Sequence, residues 1–447
     1  MEKNKLGFWS IVLLGINGII GSGIFLLPNK AMSLIGPASL LVMVFDMLLV
    51  LAITFCFAEA SGLFKENGGP YIYAKEAFGD FVGYEVGILT WMTRVIAFST
   101  MGVGFATALG GVFPELGTPF MKNVIVTVIF LILAVINLCG VQLYKVVQNV
   151  ATIAKLLPLV LFIAMGVFYI RPANFTPMFP DGAYVEGTFG AAAVMLFFAF
   201  TGFESIAVAA AEMENPQKNL PRATLITIFS VSAIYILLLA CAIGIMGYDL
   251  ALTDTPVQMA FGKIAGTFGS SLVAVGTLVS IGSLCIGSSF VTPHSGLALA
   301  EQKMLPAFMT GRNRFGAPYW CIIVSTVLAM LIAYTGSFTY LVAISVVSRF
   351  SQYIPTCLSI LVFRRTKKDA PRAFRIPFGP VIPLLAVAVS LWLLTQAKPQ
   401  QLLMGLGAAV VALPFYYFVR KNQQAASEPE TEEAAETVST KPANSAL

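Results

Sequence analysis

Long hydrophobic stretches separated by short polar segments dominate this chain. About twelve of them reach the ~20 apolar residues that a bilayer-spanning helix needs. They cover residues 8–31, 36–62, 80–110, 122–142, 147–170, 188–211, 222–247, 270–299, 319–336, 338–363, 379–396 and 402–419. Their apolar character is continuous and lacks the alternation of barrel strands. The pattern therefore predicts an all-α integral membrane protein with about twelve transmembrane helices.

Composition supports this interpretation and excludes other classes of protein. Of the 447 residues, 57% are hydrophobic and 11% are charged, whereas a soluble domain carries about 25% charged residues. A soluble enzyme, a nucleic-acid binder and a disordered scaffold are excluded for the chain as a whole. The single histidine and the six cysteines are dispersed along the chain, so we expect no metal site and no cofactor.

The distribution of basic residues predicts the orientation. With the N-terminus inside, we count eighteen Lys and Arg residues in inner segments before the tail and five in outer segments. The positive-inside rule then places both termini in the cytoplasm of a multi-pass protein of the cell membrane. Residues 1–7 form a short cytoplasmic N-terminus. The polar, acidic residues 421–447 are typical of a disordered cytoplasmic tail.

Two of the predicted spans contain a weak point. The first span holds Gly21-Ser22-Gly23, and the sixth holds Phe200-Thr201-Gly202-Phe203-Glu204. These spans would be corresponding members of two five-helix repeats, 8–170 and 188–363, followed by two further helices in 379–420. Paired interruptions of this kind indicate a transporter site at the membrane midplane. Close packing of glycines between helices is the alternative for either break.

Broken helices suggest a particular kind of ligand. Unwinding exposes backbone N–H groups at the positive end of the second half-helix, which suits a carboxylate. It also frees carbonyl groups at the end of the first half-helix, which suit an ammonium group. A site with both features would hold an α-amino acid through backbone atoms alone.

Four segments carry a resemblance to a known family. Asn17-Gly18-Ile19-Ile20-Gly21-Ser22-Gly23-Ile24-Phe25, the loop from Phe64 to Gly79, the segment from Phe200 to Glu204 and the segment from Glu214 to Ala223 resemble the amino acid–polyamine–organocation (APC) transporters. The resemblance covers about residues 6–420. It implies a LeuT-type fold with 5+5 inverted repeats, two extra helices, and breaks in helices 1 and 6.

The resemblance also implies a substrate site. The carboxylate would meet N–H groups of Ser22, Gly23 and Ile24, and the amine would meet carbonyls of both broken helices. The residues that it assigns to substrate binding are Ile20, Gly21, Ser22, Gly23, Ile24, Phe198, Ala199, Phe200, Thr201 and Gly202. The two phenylalanines would cover the substrate, with ordinary core packing as the alternative. Glu204 aligns with an acidic residue of proton-linked or exchange members, and stabilising the break is its alternative role.

Lys155 lies inside the fifth predicted span, where an ammonium must find oxygen partners or lose its proton. By resemblance, it fills the sodium site of sodium-dependent relatives and contacts carbonyls of the first helix. A titrating Lys155 would make the carrier proton-coupled, and a permanently charged one would be a fixed strut in an exchanger. Snorkelling to the interface is the alternative. Sodium dependence is not expected in either case.

Four more polar residues lie inside predicted spans: Asp46, Arg94, Arg349 and His294. Residue counting brings Asp46 within reach of Arg94, and intramembrane charges are usually paired. We therefore expect at least one ion pair, either as a structural bridge or with one arginine selecting an acidic side chain or gating the path. His294 is either a proton relay or a satisfied structural group.

These observations favour a secondary active amino acid transporter that works by alternating access. The expected activity is sodium-independent proton symport or exchange of neutral amino acids. Exchange of basic amino acids or polyamines, and an acidic amino acid carrier, stay open. A channel would need rings of charge, a receptor a larger soluble domain, and an enzyme a catalytic cluster. The expected partners are an amino acid, protons and the lipid bilayer, with no nucleic acid and, in the absence of a Walker motif, no ATP.

Overall fold

The computed structural model describes residues 7–64, 69–140, 143–204, 206, 213–370, 372, 374–414 and 416–417. The side chains of residues 143–153 and 216–217 are not described. The predicted tail at 421–447 and almost all of the predicted N-terminal segment 1–7 lie outside these ranges.

The described residues form helices and contain no β-strand. The helices, numbered in chain order, are α1 (Phe8–Ile19), α2 (Ser22–Leu26), α3 (Pro28–Ile35), α4 (Ser39–Ser61), α5 (Pro70–Phe78), α6 (Asp80–Val112), α7 (Pro119–Leu138), α8 (Leu143–Gly166), α9 (Thr188–Phe200), α10 (Pro216–Met246), α11 (Pro256–Glu301), α12 (Tyr319–Ala333), α13 (Phe338–Thr366), α14 (Val381–Thr395) and α15 (Pro399–Pro414). Short 3-10 turns join several of them.

Every predicted hydrophobic stretch contains a helix. Six helical segments in the described part of the chain are long and apolar enough to cross a membrane, and six further apolar helices are shorter. This arrangement agrees with a multi-pass membrane protein. The largest difference from the sequence prediction is in α11, which begins at Pro256 and bends at Gly266. The bend lies where Gly266 has a positive φ of 59°, a conformation that glycine adopts without steric cost.

The broken helices lie inside the bundle. α2 contacts α6, α9 and α11, and α1 packs against α10. α6 in turn packs along α11 and α13, and α11 also packs along α8. The core residues at the break, such as Ile20 and Ile24, are almost completely buried, with 0% and 1% exposure. This packing surrounds α1, α2 and α9 with longer helices.

One buried carboxylate connects the end of α4 with the end of α13. Glu59, 1% exposed, accepts hydrogen bonds from Arg364 Nε at 2.9 Å and Nη2 at 2.6 Å. Arg372 Nη1 at 3.5 Å and the backbone N–H of Ile376 at 2.8 Å complete its environment. We call these four residues the Glu59 cluster. It ties the segment that follows α13 to α4.

Candidate functional site

The first helix is interrupted at the predicted position. α1 ends at Ile19, Gly21 adopts an extended conformation, and α2 begins at Ser22. α2 continues into α3 because Leu27 has helical dihedral angles and donates to the Gly23 carbonyl at 2.9 Å. The amides of the first turn therefore stand at the start of a longer helical segment and have no acceptor within it.

The second interruption has a different geometry. α9 ends at Phe200, and the N–H and hydroxyl of Thr201 both donate to the Phe198 carbonyl, at 3.1 and 2.8 Å. Gly202 follows with φ 107°. A Cβ atom at Gly202 would lie 2.2 Å from the Gly18 carbonyl oxygen. Both the backbone conformation and the space therefore require glycine here.

The two interrupted helices touch each other through glycines. Gly202 lies against Gly18, and a Cβ atom at Gly23 would lie 2.6 Å from Ala199 Cα. Helix breaks and close glycine packing, which the sequence offered as alternatives, thus occur together. Tyr235 of α10 adds a third contact, with its hydroxyl 3.3 Å from the Ile19 carbonyl oxygen and 3.0 Å from that of Ala199. Sequence reasoning did not single out Tyr235, although a polar group in an apolar helix is a usable signal.

Lys155 reaches the end of α1 from α8. Its ammonium group donates to the carbonyl oxygens of Asn17 at 2.6 Å and Ile20 at 3.0 Å. The residue is 1% exposed. The ammonium therefore binds carbonyls that the break has freed, and it does not snorkel to an interface. This contact agrees with the geometry expected from the sequence, while the role of Lys155 in coupling stays a prediction.

The two phenylalanines predicted to cover the substrate are core residues in this conformation. Phe198 is 2% exposed and makes an edge contact with the ring of Phe338, and Phe200 is 0% exposed and packs on Tyr235. The predicted amine-binding carbonyls also have partners, since those of Ile20 and Ala199 accept from Lys155 and Tyr235. A carbonyl oxygen has two lone pairs, so each keeps one for a ligand.

Glu204 lies beside the second break and has three partners. Its carboxylate accepts the Gly202 N–H at 3.0 Å and the Tyr353 hydroxyl at 3.3 Å, and it forms an ion pair with Arg349. The Glu204 side chain is 23% exposed and that of Arg349 is 12% exposed. Glu204 thus stabilises the break and at the same time keeps access to water.

An intramembrane ion pair is present, as expected, but it does not join Asp46 to Arg94, which residue counting had placed within reach of each other. Asp46 is 0% exposed, and neither carboxylate oxygen has a hydrogen-bond partner in the described part of the chain. Arg94 is exposed and within electrostatic range of Glu204 and Arg349. Residue counting gave the depth of each group but not the direction in which its helix points the side chain. The ion pair that does form joins Arg349 to Glu204.

His294 is not near either break. Its Nδ1 lies 2.7 Å from the Phe290 carbonyl oxygen, and its ring packs on Phe290 with 4.2 Å between centroids. Together with Asn137 and Phe315, it lines a cavity of about 90 Å³ at another place on α11. The structure therefore does not group His294 with Lys155 and Glu204.

Comparison with known proteins identifies the family of this chain. The amino acid permease family matches residues 6–419, which is nearly the entire chain. The chain belongs to the amino acid permease family. This permease is thus a member of the APC superfamily, whose members are membrane transporters and not enzymes.

Individual relatives cover most of the permease. A serine/threonine exchanger of Bacillus subtilis is 28% identical over 440 residues, covering 94% of this chain and 98% of the relative. A branched-chain amino acid permease of the same organism is 26% identical over 410 residues, 88% of each chain. An uncharacterized transporter of Mycobacterium tuberculosis is 33% identical over 418 residues, 87% of each chain.

Proposed function

We propose that this permease is a sodium-independent secondary transporter that moves neutral amino acids by alternating access. The contact of Lys155 with the carbonyls of Asn17 and Ile20 carries the proposal. A tethered ammonium at the end of α1 supplies a positive charge where a bound cation would otherwise balance the carbonyl dipoles. It therefore removes the need for a sodium ion at this point.

The substrate site that we propose uses backbone atoms of the two breaks. The carboxylate of the substrate binds the amides of Ser22, Gly23 and Ile24, which lie at the positive end of a helical segment. The amine binds the carbonyl oxygens of Ile20 and Ala199, which accept one hydrogen bond each from Lys155 and Tyr235 and keep a second lone pair. A clamp of this kind recognises the groups that all α-amino acids share, and it requires no charged side chain.

The backbone clamp does not determine which side chains of the substrate are accepted. The serine/threonine exchanger and the branched-chain permease among the relatives are named for neutral substrates. A polyamine or basic amino acid would need a free acidic group near the clamp. Glu204 is already engaged by Arg349, Tyr353 and the Gly202 N–H, which favours neutral over basic substrates.

We also propose the membrane arrangement that the sequence predicts. The chain would cross the cell membrane about twelve times with both termini in the cytoplasm. Residues 8–170 and 188–363 would be the inverted repeats, and 379–420 would hold the last two helices. The arrangement is supported by the twelve apolar helices of the described residues and by the position of both breaks at the first helix of each repeat.

Uptake into proteoliposomes tests the function. A panel of labelled amino acids is offered in buffer with sodium, and again with sodium replaced by choline. Each measurement is made under two conditions. In the first, an inward proton gradient is applied to proteoliposomes without amino acid inside. In the second, the proteoliposomes are preloaded with unlabelled amino acid. We expect uptake of neutral amino acids that does not change on removal of sodium. Uptake that depends on sodium, or a panel in which no amino acid is transported, would contradict the proposal.

The same experiment separates the two coupling modes. Uptake driven by the gradient in empty vesicles identifies proton symport, and Lys155 and Glu204 are then the residues to test as proton carriers. Uptake that requires preloading identifies exchange, with Lys155 as a fixed cation. Liposomes that contain no protein are the control for passive leakage.

A further inference from the structure

Arg94 is a charged residue in the bundle that the proposed mechanism does not use. Its side chain is exposed, while its neighbours Thr93 and Val95 are 1% and 0% exposed. In the described part of the structure, the guanidinium has no hydrogen-bond or ion-pair partner. A charge inside a transmembrane segment is costly and in most cases faces a water-filled path or a ligand.

The helical period places Arg94 on the side of α6 that faces the first break. Met101 follows seven residues later, close to two full turns, and therefore lies on the same face. The Ser22 hydroxyl donates to Met101 Sδ over 3.6 Å. Gly104, one turn further, also faces Ser22, since a Cβ atom there would lie 3.7 Å from Ser22 Cβ. Arg94 thus points to the interior of the bundle.

A hydrogen bond fixes the depth of Arg94. The hydroxyls of Thr93 and Ser348 are 2.6 Å apart, so the next residues, Arg94 and Arg349, lie at a similar depth on neighbouring helices. From this depth, Arg349 reaches Glu204 at the second break. Arg94 has a side chain of the same length. Its guanidinium is therefore able to reach a ligand held between the two breaks.

The charges near this position do not balance. Two guanidinium groups and one carboxylate lie within electrostatic range of each other, and Arg349 is paired with the carboxylate of Glu204. One positive charge is left over, and Arg94 carries it. The planar fork of a guanidinium matches a carboxylate through two parallel hydrogen bonds.

We propose that Arg94 is a specificity residue that binds the side-chain carboxylate of an acidic amino acid. The permease would then accept dicarboxylic amino acids in addition to neutral ones. This inference rests on the proposed function, because the backbone clamp must hold the α-amino and α-carboxylate groups while Arg94 binds the side chain. With a neutral substrate, Arg94 stays hydrated.

Competition between two substrates of equal length tests the inference. Uptake of labelled serine into proteoliposomes is measured against unlabelled L-glutamate and unlabelled L-glutamine. In the wild type, we expect both to compete. Arg94→Gln should raise the half-inhibitory concentration of glutamate by about tenfold or more, as expected when a hydrogen bond to a charged group is lost. The value for glutamine should change by less than about twofold, since it makes no charged contact with Arg94.

Arg94→Lys is the matched variant. It keeps the positive charge but loses the fork, so glutamate should compete with an intermediate half-inhibitory concentration. Wild-type protein that glutamine inhibits and glutamate does not would overturn the inference, as would an Arg94→Gln variant that weakens both competitors equally. If Arg94→Gln does not fold, the wild type and Arg94→Lys decide the question. Absence of all amino acid uptake by the wild type is a different result, which overturns the proposed function itself.

Discussion

Two carboxylates that pair with arginines of α13 differ in their surroundings. Glu59 is 1% exposed and holds two arginines and a backbone N–H, whereas Glu204 is 23% exposed and holds one arginine, a tyrosine and a backbone N–H. Their partners Arg364 and Arg349 stand fifteen residues apart on α13, about 22 Å along the axis. The same type of ion pair thus occurs in a buried cluster, where four donor atoms surround the Glu59 carboxylate, and beside a partly exposed helix break.

The contrast indicates which part of the molecule is held rigidly and which part is able to rearrange. A buried carboxylate with all its partners in place loses much when one partner is removed, because an uncompensated charge is left behind. A partly exposed carboxylate loses less, since water replaces the missing partner. We therefore expect Glu59 to act on stability and Glu204 to act on transport.

Removal of Glu59 should give the largest loss of stability. Glu59→Ala leaves Arg364 and Arg372 without their acceptor, and we expect the free energy of unfolding to fall by roughly 3–5 kcal/mol. Denaturant unfolding in detergent micelles measures it. Glu76→Ala is the control, because its ion pair with Lys367 is 45% and 34% exposed and should contribute about 0–1 kcal/mol. Equal losses in both variants would show that the Glu59 cluster contributes no more to stability than an exposed ion pair.

Replacement of Lys155 should abolish net uptake. Lys155→Ala removes the ammonium from the carbonyls of Asn17 and Ile20 and leaves the end of α1 without a cation. We expect uptake no higher than that of liposomes without protein, both with the proton gradient and with preloaded amino acid. Lys122→Ala, which changes a lysine in the first turn of α7, should transport like the wild type. Normal transport by Lys155→Ala in a folded protein would remove Lys155 from the mechanism.

The contact between the breaks should be sensitive to a single methyl group. Gly202→Ala meets both a positive φ and the Gly18 carbonyl, whereas Gly187→Ala has a positive φ of 83° and open space around it. The left-handed conformation alone costs about 1–2 kcal/mol, so Gly187→Ala should lose that amount. Gly202→Ala should lose more, and its uptake should fall with it. Indistinguishable melting curves for the two variants would mean that the breaks are not in contact.

Neutralisation of Glu204 should separate transport from stability. Glu204→Gln keeps the size of the side chain and removes its charge, and water is able to reach Arg349. We expect a stability loss of only about 1 kcal/mol, as for a single hydrogen bond, and a clear loss of uptake at unchanged protein yield. A drop as large as that of Glu59→Ala would show that both carboxylates are structural.

The smallest effect concerns the coupling of Asp46 and Arg94. The sequence suggested an ion pair, and the structure separates the two groups. The stability changes of Asp46→Asn and Arg94→Gln should therefore add to within about 0.5 kcal/mol in the double variant. Thermal unfolding of the four proteins of the cycle measures this. A larger coupling energy would indicate that the two groups form an ion pair in another conformation.

The sequence was sufficient for features that depend on local composition. Hydrophobic length predicted the helices, and Gly21 and Gly202 predicted the breaks, because glycine weakens a helix wherever it stands. The sequence did not predict contacts between residues that are far apart along the chain. Arg349 and Glu204 are separated by 145 residues and Arg364 and Glu59 by 305, and no local pattern relates them. Asp46 shows the same limit, since its depth was readable and its orientation was not.

The contacts of Gly18 with Gly202 and of Gly23 with Ala199 have a mechanical consequence. At these points the two segments meet through backbone atoms and the small methyl group of Ala199, so neither can rotate far without displacing the other. They form one shared pivot and not two independent hinges. The opening and closing of the carrier would then be a single rotation of both segments against the surrounding helices. A bulky residue inserted at the pivot would stop both directions of that motion together.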